Sequence, residues 1–171
     1  FPGSLNVPLI PSSVDRHSDG VCSSVVTLNP LTDKFLSQHR VQGRPTLPFV
    51  VALELMAEAV RVRTGSADAG LCLRAKALQS IRFSTDDPLA ITVQTRPTSE
   101  GGVECRLLAD VRRRDGRMVE EDREFFRAEF VPRDRATGIS VSGRPFDKPA
   151  GGTSAWKQVR YVASDSMIYH G

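Results

Sequence analysis

Between residues 48 and 64 the sequence PFVVALELMAEAVRVRT is apolar at all but a few positions. Pro48 suits the first position of a helix, where a missing N–H costs nothing, and Gly65 suits the left-handed residue that ends one. The pattern predicts a helix over 48–64. Its polar positions are so few that the helix is expected to be covered on nearly all sides. Glu54 and Glu58 stand one turn apart with Arg61 three residues further on, which reads as a charged, exposed seam with a helix ion pair.

Around this helix the pattern changes to the alternation of strands. Residues 21–28 are β-branched and bounded by Gly20 and Asn29-Pro30. After the polar loop SADAG come four segments of strand character, at 71–83, 89–96, 103–112 and 118–131. They are separated by Asp86-Asp87-Pro88, by residues 97–102 and by Asp115-Gly116, the last a strong hairpin signal. Consecutive hairpins predict an antiparallel meander. Ile91, Val93 and Thr95, like Phe126, Ala128 and Phe130, alternate with polar neighbours, so one sheet face is buried and the other is wet. The buried face needs a partner, and the helix at 48–64 is the one element large enough.

The remaining stretches are shorter or irregular. Residues 1–20, with Pro2, Pro8 and Pro11, read as an N-terminal arm in which His17 is a solvated loop histidine. A helical turn is expected near 32–36, with Asp33 as its cap. Residues 133–158, rich in Gly, Pro, Ser and charge, read as a linker, and 159–171 as the beginning of a further ordered segment. The chain begins with Phe rather than Met, which suggests a piece of a longer polypeptide.

Composition narrows the class. At 171 residues, 40% hydrophobic and 25% charged, the chain is long enough to bury one sizeable core. Cys22, Cys72 and Cys105 are far apart and lack the paired spacing of a zinc site or disulfide framework, so they read as reduced core thiols and no metal is expected. No apolar run is long enough for a membrane span and no leader pattern opens the chain, which together suggest a cytoplasmic protein. A formal charge of +3 favours an acidic partner. Scattered basic residues and few aromatics argue against nucleic acid. Arg112, Arg113, Arg114 and Arg117 flank a hairpin tip and read chiefly as a solvated charge run, with docking of an acidic carrier protein as the alternative.

The chemistry concentrates before the long helix. His39, with an unperturbed pKa of about 6.5, is suited to act as a base near neutral pH. The helix that starts at Pro48 presents N–H groups that favour developing negative charge, and Gly43 would let a reacting group come close. Such a pairing suits general-base chemistry in which negative charge develops on an oxygen.

The segment HRVQGRPTLP, from His39 to Pro48, fits the His-x3-Gly-x4-Pro motif of polyketide synthase dehydratase domains, and LELMAEA resembles the start of their central helix. The approach LTDKFLSQHRV resembles the family's lead-in, and a weaker likeness runs over 21–131. One antiparallel sheet wrapped around one long central helix is an α+β fold of hot-dog type, expected here over 21–132. The resemblance implies the first half of a double hot-dog. The tail VRYVASDSMIYHG is similar to the entry of the second half, with His170 and Gly171 at its His-Gly or Tyr-Gly element.

The family resemblance further implies that His39 is the catalytic base for dehydration of a β-hydroxyacyl thioester carried by acyl carrier protein. Gly43, Pro48, His170 and Gly171 would then belong to the substrate site. An aspartate from the second half would complete the pair; no residue of this chain can be assigned to it. No cofactor is implied beyond the carrier's phosphopantetheine arm. Other synthase domains, the second hot-dog half and a second copy in a homodimer are the expected partners. The wording LPFVVALELMAEA leans toward iterative synthases of the enediyne or polyunsaturated fatty acid type. An inactive dehydratase-like or product-template binding module, which shapes a polyketide without dehydrating it, is the alternative; a single-hot-dog thioesterase fits less well, for want of a carboxylate beside His39.

Overall fold

The computed structural model describes residues 15–113 and 115–133. In chain order the elements are β1 (Asp15–Arg16), β2 (Cys22–Leu28), α1 (Lys34–Ser37), β3 (Arg40–Val41), β4 (Arg44–Pro45), α2 (Phe49–Thr64), β5 (Leu71–Ala77), β6 (Leu89–Pro97), β7 (Val103–Arg112) and β8 (Met118–Val131). Six strands form one antiparallel sheet in the order β1-β2-β6-β7-β8-β5, and β3 with β4 forms a small hairpin of its own. Helix α2 lies on β6, β7 and β8. This is the hot-dog arrangement.

Strands β6, β7 and β8 are the expected meander; β5 departs from it. Instead of pairing with β6, β5 crosses to the far edge and joins β8, from Leu71 opposite Val131 to Ala77 opposite Phe126. The segment 71–83 is therefore not one strand. A bulge between Leu73 and Lys76, with Arg74 at a φ of 52°, loosens β5, which ends at Ala77. Residues 81–83 instead follow the chain before α2: the Leu47 N–H donates to the Ile81 carbonyl at 3.0 Å, and the Phe83 N–H to the Pro45 carbonyl at 2.9 Å. The link from β5 to β6 is thus occupied elsewhere and cannot close as a tight hairpin.

Helix α2 begins one residue later than expected. Pro48 keeps an extended ψ of 140° and is the N-cap, while Gly65, at a φ of 68°, ends the helix as predicted. Its buried residues are Ala52, Leu55, Met56, Ala59 and Val60, a single stripe at helical spacing. They meet Ile91, Val93, Cys105, Leu107, Phe126 and Ala128 in the core. Fully burying a side chain such as Leu55 contributes about 1.5–3 kcal/mol. Cover on nearly all sides is not what the described residues provide, for one sheet offers one face: Phe49 is 37% and Val50 58% exposed. On the polar side Arg61 pairs with Glu54 at 2.6 Å, two turns back. At the helix end Arg63 donates to the carbonyls of Thr95 (3.0 Å) and Gly20 (2.9 Å), tying the last turn to the sheet.

Smaller expectations are also corrected. Asp33 occupies the N-cap position of α1 but does not cap it; its carboxylate accepts the Asn29 N–H at 2.7 Å and closes the preceding turn. Cys22 and Cys105 are buried, whereas Cys72 is exposed on the edge strand β5 and is not a core thiol. Within the stretch read as an arm, Asp15 and Arg16 pair with Ser23 and Cys22. His17 is exposed, its Nε2 3.1 Å from the Ser23 hydroxyl. Among the described residues no helix is long and apolar enough to cross a membrane.

Candidate active site around His39

His39 lies between α1 and β3, half-buried. Its surroundings follow from the turn that comes next. Gln42 and Gly43 connect β3 to β4 with φ values of 52° and 75°, the double positive φ of the tightest two-residue hairpin connection. Counting back from that turn, Val41 faces Arg44 and Arg40 faces Pro45. The next pair is His39 and Thr46, joined by a bond from the Thr46 N–H to the His39 carbonyl at 2.9 Å.

The same pair fixes the imidazole. His39 Nδ1 lies 2.7 Å from the Thr46 carbonyl oxygen. A carbonyl oxygen only accepts, so Nδ1 carries the proton and the neutral ring has its lone pair on Nε2. Thr46 is itself held: it is 4% exposed, its hydroxyl donates to the Arg44 carbonyl at 3.1 Å, and its backbone bridges to Arg82. The ring is oriented by main chain that is locked on both sides.

Three residues after Thr46 the chain enters α2. The Pro48 carbonyl accepts the N–H groups of Val51 and Ala52, each at 3.1 Å, and no side chain caps the helix start. The N–H groups of Phe49 and Val50 then have no acceptor within the helix and lie at its positive end, which suits an anion or an enolate oxygen. Phe49 stacks on Phe126 of β8, with ring centroids 5.8 Å apart, and so anchors this end of the helix to the sheet.

Two of the anticipated site residues have backbone roles. The space where a Gly43 side chain would stand is open, with no atom within 4 Å, so the glycine is required by its positive φ and not by close packing. Pro48 is buried and serves as the N-cap. His170 and Gly171 lie outside the described residues, as do residues 134–171 of the stretches read as a linker and a second segment.

Sequence reasoning overlooked Thr46 and Arg40. The Arg40 guanidinium donates to the Ser37 carbonyl (3.2 Å), the Gly43 carbonyl (3.2 Å) and the Asp86 carboxylate (2.9 Å). Neither residue carries a motif signal; each is recognisable only when its hydrogen-bond partner is in place.

A cleft of about 350 Å³ lies apart from His39, between residues 79–89 and the β7–β8 hairpin. Its floor includes Ile81, Phe83 and Phe125, and its rim includes Arg82, Arg112, Arg113 and Arg123. Arg112 pairs with Asp110 at 3.3 Å, and Arg123 pairs with Glu120. Part of the arginine run at the hairpin tip is thus engaged within the fold.

The family model described as polyketide synthase dehydratase domain matches residues 8–110. No curated protein matches the chain. Among solved structures, the dehydratase domain from the CurF module of the curacin polyketide synthase is similar at 13% identity with a TM-score of 0.58, over 71% of this chain and 42% of that one. A trans-AT polyketide synthase dehydratase domain of Brevibacillus brevis is similar at 18% identity and a TM-score of 0.53, over 71% and 42%. The dehydratase domain from the terminal module of the rifamycin polyketide synthase is similar at 16% identity and a TM-score of 0.57, over 84% and 48%. At these identities the likeness is one of fold, and the chain spans less than half the length of each of the three. With the family model covering more than half of the sequence, the chain belongs to the polyketide synthase dehydratase domain family, as an N-terminal portion of such a domain.

Proposed function

We propose that this chain supplies the basic half of a dehydratase active site, with His39 as the base. The observation that carries the reading is the bond from His39 Nδ1–H to the Thr46 carbonyl, because it leaves the ring's lone pair on Nε2. In the proposed reaction Nε2 takes the α-proton of a β-hydroxyacyl thioester. The C–H electron pair moves toward the carbonyl oxygen, and N–H groups at the start of α2 stabilise the charge that develops there. The β-hydroxyl then leaves as water, protonated by an acid contributed by the second hot-dog half, and the product is the α,β-unsaturated thioester. Substrate and product differ by one water, so the reaction itself consumes no redox partner.

In this reading the substrate arrives on the phosphopantetheine arm of acyl carrier protein, within a cytoplasmic synthase whose other domains supply and consume the thioester. The second hot-dog half, and a second copy in a homodimer, complete the assembly. The test is to assay a β-hydroxyacyl carrier-protein thioester with the complete domain and with its His39→Ala variant. General-base catalysis contributes about 10²–10⁴-fold, so the variant is expected to lose at least that much. Dehydration by His39→Ala at the full rate would remove His39 from the role.

A further inference from the structure

We infer that Arg40 is a positioning residue for His39, an inference that rests on His39 being the base. The three nitrogens of its guanidinium go to three different places. Nε donates to the carbonyl of Ser37, the last residue of α1; Nη1 to the carbonyl of Gly43 at the β3–β4 turn; and Nη2 to Asp86 in the link between β5 and β6. Ser37 and Gly43 bracket His39 in sequence, so one planar group ties together the chain on both sides of the imidazole.

The need for such a tie follows from the hairpin itself. Strands β3 and β4 have two residues each, and a hairpin this short is marginal on its own. The Thr46 carbonyl that orients the ring belongs to this hairpin's outgoing side, which is anchored through the neighbours Pro45 and Leu47 to Phe83 and Ile81, whereas His39 belongs to its incoming side, next to α1. Any sliding of one side past the other changes the Nδ1–H to carbonyl geometry. Arg40 opposes that sliding by holding the end of α1, the turn and the β5–β6 link in one register. Lysine cannot replace it, since an ammonium keeps the charge but not the fork that reaches three acceptors at once.

The experiment uses the full synthase polypeptide containing this chain, with Arg40→Ala, Arg40→Lys and His39→Ala variants. It measures kcat, KM and the pH dependence of kcat, with the folded fraction fixed by thermal melting. Misplacement of a catalytic group by about 1 Å costs about 10²-fold, so Arg40→Ala is expected to lose about 10- to 100-fold in kcat per folded molecule with little change in KM. Arg40→Lys is expected to be impaired nearly as much, with the acidic limb of the pH profile where it is in the parent. A parent-like kcat in Arg40→Ala overturns the inference. So does a fully active Arg40→Lys beside an Arg40→Ala whose pH profile has moved, because charge alone would then be the function. His39→Ala tests the base separately. If that variant keeps its rate, the proposed chemistry falls, and the ring nitrogen signals of ¹⁵N-histidine-labelled protein decide the positioning: Arg40→Ala is expected to mix the two tautomers of His39, and an unchanged Nδ1-protonated signal overturns the role.

Discussion

Replacing Gly43 by alanine separates two reasons for a glycine four residues after a catalytic histidine. If the glycine admits a reacting group, the added methyl blocks chemistry; if it only turns the chain, the methyl costs stability. The φ of 75° makes the second a quantitative expectation. At a φ of 75° an L-residue pays about 1–2 kcal/mol for the left-handed conformation, while the smaller conformational freedom of alanine in the unfolded chain returns about 0.4–1 kcal/mol. No atom lies within 4 Å of the new carbon, so no steric cost is added. The expected net loss is about 1 kcal/mol. Gly70 is the control. Its φ of 87° imposes the same conformational strain, but a side-chain carbon there runs into the Val131 carbonyl oxygen and sits 2.8 Å from the carbonyl carbon. That overlap adds about 1–3 kcal/mol. Urea unfolding of the domain and its two variants, compared at equal slope, reads both numbers. A Gly43→Ala variant as stable as the parent but with kcat/KM collapsed would refute the turn assignment and restore close approach as the reason for the glycine.

Two further expectations concern thiols and pH. Burial pushes the Cys105 thiol well above its ordinary range, and partial burial raises Cys72 as well, but only Cys72 of the three is exposed. Iodoacetamide at pH 8 should therefore alkylate Cys72 in the folded protein, and Cys22 and Cys105 only in denaturant; native labelling of Cys105 would contradict its place under α2. The Glu124 carboxylate, held by Arg127 through bonds of 2.6 and 2.8 Å, titrates below the usual carboxylate range. Its contribution is present above the unfolded pKa of about 4.3 and is lost as pH falls through the lower folded value. For so exposed a partner it amounts to less than about 1 kcal/mol, so Glu124→Gln should lower stability by up to that much at neutral pH and by nothing at the acid end, where parent and variant converge.

What could be read from the sequence was what short-range pattern controls. The limits of β7 and β8, the αL glycine at 65 and the turn at Asp115-Gly116 follow from alternation and local turn chemistry, and the structure has them where the pattern put them. The path of β5 was not legible. Its residues read as a strand wherever they pair, and whether they pair with β6 or β8 depends on a link of chain whose middle, 81–83, is held by a segment some forty residues earlier. How much of the cover over α2 the described residues supply was not legible for a similar reason: an apolar helix records that it needs partners, not which side of it this part of the chain supplies.

The spacing of the motif, by contrast, has a structural reason that can now be stated. A two-residue turn at Gln42-Gly43 makes Val41 face Arg44 and Arg40 face Pro45, and so sets His39 against Thr46. Histidine to glycine is the distance from that pair to the second turn residue, where positive φ is obligatory; glycine to proline runs back past Thr46 to the helix cap. Because the acceptor for Nδ1–H is the main-chain carbonyl of Thr46, the register of the hairpin, and not the side chain at 46, sets the tautomer. One residue more in the turn would shift that register, turn the facing carbonyl away and remove the reason for Nδ1 to keep its proton. The position of the ring proton is thus a consequence of turn length, which makes the glycine and the arginine clamp as much a part of the proposed chemistry as the histidine.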